Sequence, residues 1–247
     1  MKKQAIFVST YRRPRYLHVC LTALVRCVGI ADWDVFVDFD GGAVLSPYAS
    51  YLPHFQVVRH EHLGCRRHPT EVLRTALSFG YERLLYAEED HLFRSDLLSY
   101  MAANASFDGA VCAFHWPDGA TEKVRHTADS PNLYSASLAS SLVAFMDSGS
   151  DLGLPDVCNG GAPISAANDY RDASWWQWAV TRQIKTRFAP EQLCLNFGYC
   201  GAHLHMGAFD ELAFAGPPER WLDGVLATAQ RPEFIDAMAT SRDFTYR

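Results

Sequence analysis

Three consecutive acidic side chains, Glu88, Glu89 and Asp90, follow a short apolar segment at residues 84–87. An apolar run of this length is typical of a buried strand, so the acids are expected at its carboxyl end. Adjacent carboxylates repel one another, and a fold would not select them for stability. Mg²⁺ or Mn²⁺ removes that cost, because such ions prefer oxygen ligands and take one or two protein carboxylates, leaving other positions to phosphate and water. A solvated acidic strand end is the alternative.

Basic side chains form two clusters after other apolar segments. The first cluster is Arg12, Arg13 and Arg15, and the second is Arg59, His60, His62, Arg66, Arg67 and His68. Basic groups placed after strands are suited to phosphate, and a solvated surface is the alternative. The formal net charge is -6, so the protein is not basic overall. This excludes nucleic-acid binding through a surface that is basic all round.

The elements that must position these groups alternate between strands and helices. Strands are predicted at residues 5–8, 34–39, 55–59, 83–87 and 110–114, with helices from Pro14 and over residues 70–79. This alternation favours an α/β fold with a mostly parallel sheet and helices on both faces. Ligands of such sheets bind beyond the carboxyl ends of the strands, which is where the acids and the basic clusters are predicted.

The second half of the chain is less regular. It is predicted to hold a strand within residues 133–145, a loop over 148–168, a helix over 175–185, and short helices over 219–229 and 232–239. Seven cysteines without C-x-x-C spacing are typical of reduced thiols. No apolar run approaches the ~18–20 residues of a membrane span, and no cleavable signal is visible, so we expect a cytoplasmic protein.

Residues 88–98 resemble the metal-binding region of GT-A glycosyltransferases, most closely the Glu-Asp-Asp version of the N-acetylglucosaminyltransferase I family. In both, an apolar strand leads into three acids, and the family's downstream Asp-aliphatic pair recurs at residues 96–97. The resemblance implies a GT-A-type, Rossmann-like sheet, with Mn²⁺ or Mg²⁺ bound by Asp90. It also implies contacts from Glu88 and Glu89 to the sugar and ribose of a nucleotide-sugar. Glu89 departs from the family, which has Asp at this position.

Stretches near the first two strands extend the resemblance. Residues 9–17 are similar to the first-strand loop of family 2 glycosyltransferases, which holds the nucleotide base. The nucleotide contacts that this implies are Thr10, Tyr11, Arg12 and Arg13. Asp40 stands where those enzymes have the second-strand Asp that binds uracil. Arg67, from the second basic cluster, is a further candidate for the donor phosphates.

Later stretches concern the metal and the acceptor. Residues 112–119 resemble the strand and loop after the metal motif, and residues 197–201 resemble a late loop that closes on donor phosphate. His203 and His205 follow that loop and are candidate metal ligands, because neutral imidazole binds such ions; a structural role is the alternative. An aromatic face in a cleft suits a sugar ring. The candidate acceptor-binding side chains are His115, Trp116, Asp118 and Trp176.

The resemblance is weakest at the catalytic base. An inverting transferase must deprotonate the acceptor hydroxyl, usually with a positioned carboxylate. The N-acetylglucosaminyltransferase I family takes it from an Asp-Asp-Trp stretch at the start of a late helix, but the corresponding residues 175–178 contain no acid. The nearest acids are Asp172, about one turn before Trp176, and Asp169. Asp172 is the predicted base and Asp169 the second choice; a helix N-cap is the alternative for Asp172.

Together these features predict one GT-A-like domain over residues 1–247, with a nucleotide-sugar-binding half at 1–100 and an acceptor-side half at 101–247. The predicted reaction is metal-dependent, inverting transfer of a sugar from a UDP-sugar to a hydroxyl group of a glycan, a small molecule or a hydroxymethylated base in viral DNA. One alternative is a nucleotidyltransferase acting on sugar phosphates, although the first loop lacks the glycines that this class usually needs. The other is a non-catalytic module that binds a nucleotide-sugar or a glycan.

Overall fold

The computed structural model describes residues 3–41, 54–116, 119–124, 131–155, 163–165, 171–198 and 206–240. Its elements in chain order are β1 (Gln4–Thr10), α1 (Pro14–Leu24), β2 (Asp34–Asp40), β3 (Gln56–His60), α2 (Gly64–Ser78), β4 (Arg83–Glu88), β5 (His91–Phe93), α3 (Leu97–Ala103), β6 (Ala110–His115), β7 (Glu122–Val124), β8 (Asn132–Ser135), α4 (Ala136–Asp147), α5 (Arg171–Thr181), β9 (Lys185–Ala189), β10 (Cys194–Asn196), α6 (Gly207–Ala213), α7 (Trp221–Ala229) and α8 (Pro232–Thr240). No helix in these ranges is long and apolar enough to span a bilayer.

A mixed sheet runs through the described part of the chain in the order β3-β2-β1-β4-β8-β6-β9-β7. The first four strands in this order are parallel to one another. β8 runs antiparallel to both β4 and β6, and β9 is parallel to β6. The carboxyl ends of β1 to β4 and of β6 therefore meet at one edge. The predicted α/β sheet, mostly parallel and flanked by helices, is confirmed.

Helices cover both faces of this sheet and divide the core in two. Ile6 and Val8 of β1 pack on the side of α1, α3 and α7, whereas Ala5 and Phe7 pack on the side of α2, α4 and α5. Since side chains alternate along a strand, Ser9 continues the face of Phe7. The same alternation places Asp38, Asp40, Tyr86 and Glu88 toward α2 and α5. The polar ends of the parallel strands thus share one corner of the fold.

α2 begins at Gly64, six residues earlier than the sequence predicts. The cause is a cap from another element, because the Asp40 carboxylate at the end of β2 accepts hydrogen bonds from Leu63 N at 2.5 Å and Gly64 N at 2.9 Å. These are among the backbone donors that a helix start leaves without partners. Pro69 lies inside α2, so the predicted boundary at residue 70 was wrong.

Two boundaries in the second half also differ from prediction. The strand predicted within residues 133–145 is short: β8 ends at Ser135, and that residue caps α4 by accepting a hydrogen bond from Leu138 N at 3.2 Å. The predicted helix over residues 175–185 begins earlier, at Arg171, and ends at Thr181, after which β9 forms. Its earlier start brings Asp172 into the first turn of α5.

Candidate functional site

The three acids of the predicted metal motif lie at the carboxyl end of β4. Glu88 is the last residue of the strand, and Glu89 and Asp90 form the turn that leads into β5. The side chains of Glu89 and Asp90 are only 6% and 8% exposed. The alternative of a solvated acidic strand end is therefore wrong, and the site must compensate two buried carboxylates and the partly exposed Glu88.

Two arginines from distant elements supply that compensation. Arg13, from the loop between β1 and α1, places Nε 2.8 Å from Glu89 Oε1 and its second guanidinium nitrogen 2.7 Å from Asp90 Oδ2. Arg171, at the start of α5, forms a short ion pair with Glu88, which also accepts a hydrogen bond from Tyr86 Oη at 3.0 Å. The acids thus bind the β1–α1 loop on one side and α5 on the other.

The acids still differ in how well their charge is compensated. Burial opposes ionisation of Glu88, but the charge and hydrogen bonds of Arg171 outweigh it and lower the pKa of this carboxyl to about 2. Burial raises the pKa of Glu89 to about 7 in spite of Arg13, and the negative charges of Asp90 and Glu88 add to the rise. The corner therefore carries more negative charge than its arginines offset.

Asp90 has an oxygen that the described residues leave open. Its Oδ2 pairs with Arg13, but Oδ1 is buried and has no hydrogen-bond partner within the described ranges. One ligand atom from each of Glu88, Asp90 and His91 lies within 4.8 Å of the others. A buried carboxylate oxygen without a partner is costly, and a cation would satisfy it. These residues therefore fit a divalent metal ion.

His91 and Gly198 support this arrangement from either side. His91 is fully buried, and its Nδ1 accepts a hydrogen bond from the backbone N of Glu88 at 3.0 Å. β10 pairs with β5, and beyond β10 the backbone N of Phe197 donates to Asp90 O at 2.9 Å. At Gly198, a Cβ would lie 2.2 Å from Asp90 Oδ2, so only glycine leaves the carboxylate where it is.

We expect Gly198→Ala to reduce the affinity for Mn²⁺ by about 10–100-fold. The added methyl group would displace the Asp90 carboxylate, and the loss of a residue that orients a metal ligand has an effect of this size. Mn²⁺ titration followed by calorimetry measures this directly. Gly207→Ala is the matched control, since a Cβ at that position meets nothing within 4 Å. Unchanged Mn²⁺ affinity in Gly198→Ala would contradict the placement of Asp90 as a ligand.

The predicted nucleotide loop lies beside the acids. Thr10 ends β1 and is buried, and Tyr11 and Arg12 follow it at the surface. The Tyr11 ring stacks on the His62 ring at 4.6 Å and 14°, and the Arg12 guanidinium lies 5.0 Å from the Tyr11 ring centre. Asp40 joins this group because His62 Nδ1 lies 3.0 Å from its Oδ2. The structure thus brings an aromatic pair and a carboxylate together at the end of β1 and β2.

Asp40 has a second role that sequence reasoning missed, which is to cap α2. Its use as the ligand of a nucleotide base stays a prediction. Arg67 is exposed on the first turns of α2, on the same side of the sheet. The predicted donor-binding residues therefore fall into separate groups of contacts: Tyr11, Arg12 and Asp40 meet around His62, Arg13 pairs with Glu89, and Glu88 pairs with Arg171. For Thr10 and Arg67 the structure gives position alone.

The predicted base lies next to the acidic motif. Arg171, which pairs with Glu88, also places its Nε 3.1 Å from Asp172 Oδ1. Asp172 lies in the first turn of α5 and not before it, so the helix N-cap alternative is wrong. One turn further along the same face is the partly exposed Trp176, while Trp175 and Trp178 are fully buried in the core. Asp172 and Trp176 thus present a carboxylate and an aromatic ring side by side.

The remaining acceptor candidates lie further along the same edge. His115 is exposed at the end of β6, two strands from β4. The centres of the Trp116 and Phe188 rings are 4.9 Å apart, and Lys123 Nζ lies 4.5 Å from the centre of the Trp116 ring. The predicted residues that lie outside the described ranges are Asp118, Asp169, His203 and His205. Sequence reasoning also missed Arg171 and the contact of Gly198, which depend on long-range pairing, and His91, whose bond to Glu88 N is local.

No protein-family model and no curated protein sequence matches this chain, whereas solved structures do. A mannosyltransferase from Pyrobaculum calidifontis, PcManGT, in complex with GDP-Man and Mn²⁺, has a TM-score of 0.55 at 17% identity and covers 96% of this chain and 74% of its own. A cytidylyltransferase from Leptospira borgpetersenii has a TM-score of 0.53 at 11% identity, covering 95% and 97%. S. aureus TarS has a TM-score of 0.51 at 14% identity, covering 97% of this chain and 44% of TarS.

At these identities the similarity shows the fold alone. This chain spans less than half of TarS, and its match to the other two extends over most of both partners. The acidic motif, the β1–α1 loop and the start of α5 lie at the sheet edge where such open α/β folds bind their ligands. The resemblance to GT-A transferases is thus confirmed at the level of fold, which this chain shares with a mannosyltransferase and with a cytidylyltransferase.

Proposed function

We propose that this protein is a metal-dependent glycosyltransferase that takes a sugar from a nucleotide-sugar, with UDP as the nucleotide, and transfers it with inversion to a hydroxyl acceptor. The observation that carries the proposal is the buried acidic turn after β4, in which Asp90 Oδ1 has no hydrogen-bond partner among the described residues. Arg13 and Arg171 pair with the acids but leave this buried oxygen without a partner among the described residues, and a bound cation would satisfy it. The corner around this turn supplies groups for a base, for phosphates and for an acceptor.

Asp90 would hold the metal, Mn²⁺ or Mg²⁺, and His203 and His205 are proposed to complete its protein ligands. When bound, the ion supplies positive charge against the diphosphate as the sugar–phosphate bond breaks. Mn²⁺ and GDP-Man in the structure of PcManGT are consistent with this assignment. Glu88 and Glu89 are proposed to contact the sugar and ribose, and Arg171 holds Glu88 ionised and in place.

The donor base is proposed to bind at the ends of β1 and β2. Tyr11 offers an aromatic face that is 37% exposed, already stacked on His62. Asp40 is proposed to accept a hydrogen bond from the base, with the loop from Thr10 to Arg13 closing over the nucleotide. Arg67 and Arg12 carry the positive charge nearest to the phosphates on this side of the site.

The acceptor is proposed to bind between α5 and the end of β6. Asp172 would take the proton of the acceptor hydroxyl as it attacks the sugar, with Asp169 as the second candidate. Trp176, one helical turn from Asp172, offers a face for a sugar ring, and His115 and Trp116 lie on the far side of this edge. Asp118 is proposed to bind the acceptor with them. A glycan, a small molecule and a hydroxymethylated base in viral DNA are the proposed acceptor classes.

A donor screen tests the proposal. The full chain is incubated with UDP-glucose, UDP-N-acetylglucosamine and GDP-mannose, each with Mn²⁺ or with EDTA, while release of nucleoside diphosphate is followed. We expect slow, Mn²⁺-dependent release from at least one donor, because water can replace the acceptor. Release of pyrophosphate from a nucleoside triphosphate and a sugar phosphate would indicate a nucleotidyltransferase instead. Binding of a nucleotide-sugar without any turnover would indicate a binding module.

We expect Asp40→Asn to weaken UDP binding about tenfold or more, because a hydrogen bond to a charged acceptor contributes about 1.5–3 kcal/mol. Calorimetric titration with UDP and Mn²⁺ measures the effect. Because Asp40 also caps α2, the substitution lowers stability as well, and Ser135→Ala controls for this by removing the cap of α4. A lost cap costs about 1 kcal/mol of unfolding free energy. If both variants bind UDP equally well, Asp40 is a capping residue only.

A further inference from the structure

A second cluster of possible metal ligands lies at the ends of β2 and β3, and the proposed function does not use it. Asp38 of β2, His60 of β3 and His68 of α2 each offer a ligand atom within 4.8 Å of the other two. His68 Nε2 lies 2.8 Å from Asp38 Oδ1, and His60 Nε2 lies 3.2 Å from Asp38 Oδ2. Three separate elements thus direct these side chains to one point.

The cluster is closed to solvent on all but one side. Asp38 has no exposed surface and the side chain of His68 is 4% exposed, whereas the side chain of His60 is 16% exposed. Burying a carboxylate is costly unless it is paired, and both oxygens of Asp38 meet imidazole nitrogens. Neutral imidazoles compensate a buried charge only through hydrogen bonds, while a cation shared with them would neutralise it. The partial exposure of His60 provides the way in.

The outer contact of His68 is the kind that orients a metal ligand. Ser9 Oγ lies 3.1 Å from His68 Nδ1, so one ring nitrogen is held by β1 while the other faces Asp38. Ligating histidines typically have such a partner on their second nitrogen, which fixes the ring and its tautomer. The same ring is edge-on to His60, with centroids 5.6 Å apart at 67°. The rings are therefore inclined to each other, as ligands on different sides of one ion are.

The spacing of the ligand atoms suits a tetrahedral ion. Atoms bound to one Zn²⁺ at about 2.0–2.2 Å stand roughly 3.3–3.5 Å apart. The distances from the imidazole nitrogens to Asp38 are 2.8–3.2 Å, so shifts of a few tenths of an ångström would admit the ion. Two imidazoles with one carboxylate favour Zn²⁺ over Mg²⁺, which prefers oxygen donors alone. This donor set is chemically distinct from the acidic turn after β4.

We propose that Asp38, His60 and His68 form a structural binding site for Zn²⁺ or a similar borderline divalent cation, separate from the Asp90 site. Such an ion joins the ends of β2 and β3 to the first turns of α2; Asp40 belongs to β2, and His62 lies between β3 and α2. It would stabilise the folded state in proportion to its affinity, since the unfolded chain does not hold the three ligands together. The ion would then crosslink β2, β3 and α2 next to the residues proposed to bind the donor.

The test uses the full chain purified in EDTA and exchanged into buffer, with Zn²⁺ and Co²⁺ as probes. Asp90→Ala serves as background, so that any remaining site is independent of the proposed catalytic metal. We expect this variant to bind one equivalent of Zn²⁺, to melt at a higher temperature with Zn²⁺ than without, and to show the intense visible absorption of tetrahedral Co²⁺. Adding His60→Gln should abolish all three signals, and Ser9→Ala should weaken Zn²⁺ binding about 10–100-fold.

Two controls keep the outcome clear. His54→Gln, at an exposed position just before β3, should leave Zn²⁺ binding of the Asp90→Ala background unchanged. His60→Cys, which restores a zinc ligand, should recover binding if His60→Gln loses it through coordination and not through misfolding. The proposal is overturned if the Asp90→Ala background binds no Zn²⁺, or if His60→Gln binds it as well as that background does. Neither result bears on donor turnover, so the glycosyltransferase proposal stands or fails separately.

Discussion

Asp90→Ala is expected to abolish the dependence of nucleotide binding and of turnover on Mn²⁺. The carboxylate has one oxygen on Arg13 and the other buried without a partner, so its removal takes away the group best placed to hold the ion. Charge stabilisation by a metal is worth several kcal/mol, so we expect turnover to fall by about 10³-fold. The shift in melting temperature that UDP and Mn²⁺ together give the wild type should disappear.

The folded state should survive this substitution. Arg13 keeps its bond to Glu89, and the loss of a neighbouring negative charge favours ionisation of Glu89, whose pKa is raised to about 7 partly by Asp90. Asp147→Ala is the control, because this exposed carboxylate pairs with Arg74 far from the site. Identical melting shifts with UDP and Mn²⁺ in Asp90→Ala and in the wild type would show that the metal assignment is wrong.

The second large effect is expected from Asp172→Asn. If Asp172 is the base, turnover should fall by about 10²–10⁴-fold while the affinity for the donor stays within error, because a general base acts in the chemical step. The amide retains an oxygen that can accept from Arg171, so the link between α5 and Glu88 is preserved. Initial rates at saturating donor, together with the dissociation constant of UDP, separate the two quantities.

A purely electrostatic role at the start of α5 would look different. An acid in the first turn stabilises a helix by about 0.3–1 kcal/mol and leaves the rate untouched. Asp223→Asn, in the first turn of α7, measures that contribution at an exposed position. Near-normal turnover in Asp172→Asn would direct attention to Asp169, or to a retaining mechanism that needs no such base.

β1 and β4 could be predicted because these strands are buried on both faces. Residues 5–8 and 84–87 are apolar without interruption, which is what helices on both sides require. The acidic turn could also be predicted as a metal site, because three adjacent carboxylates after such a strand repel one another unless a cation binds. Their surroundings could not be predicted, since Arg13 and Arg171 lie 76 and 83 positions away from the acids that they contact.

Two short strands and the start of one helix were missed for a related reason, because they depend on contacts with residues distant in the sequence. β5 and β10 have three residues each and exist through their mutual pairing, which leaves no periodicity in the sequence. The start of α2 depends on Asp40, a residue of β2, so no local signal before Gly64 marks it. The Asp38, His60 and His68 cluster was visible only as a basic segment, because the carboxylate that joins the two histidines belongs to another strand.

The contacts around the acidic turn also fix an order of events. The four carboxylates and two guanidinium groups that these contacts join carry a formal charge of −2 when all are ionised. The nucleoside diphosphate of the proposed donor is an anion as well, so these six groups repel it, while Arg12 and Arg67 attract it from the other side of the site. A dication brings the corner to neutrality. For the proposed reaction, we therefore expect the donor to bind after the cation or already paired with it.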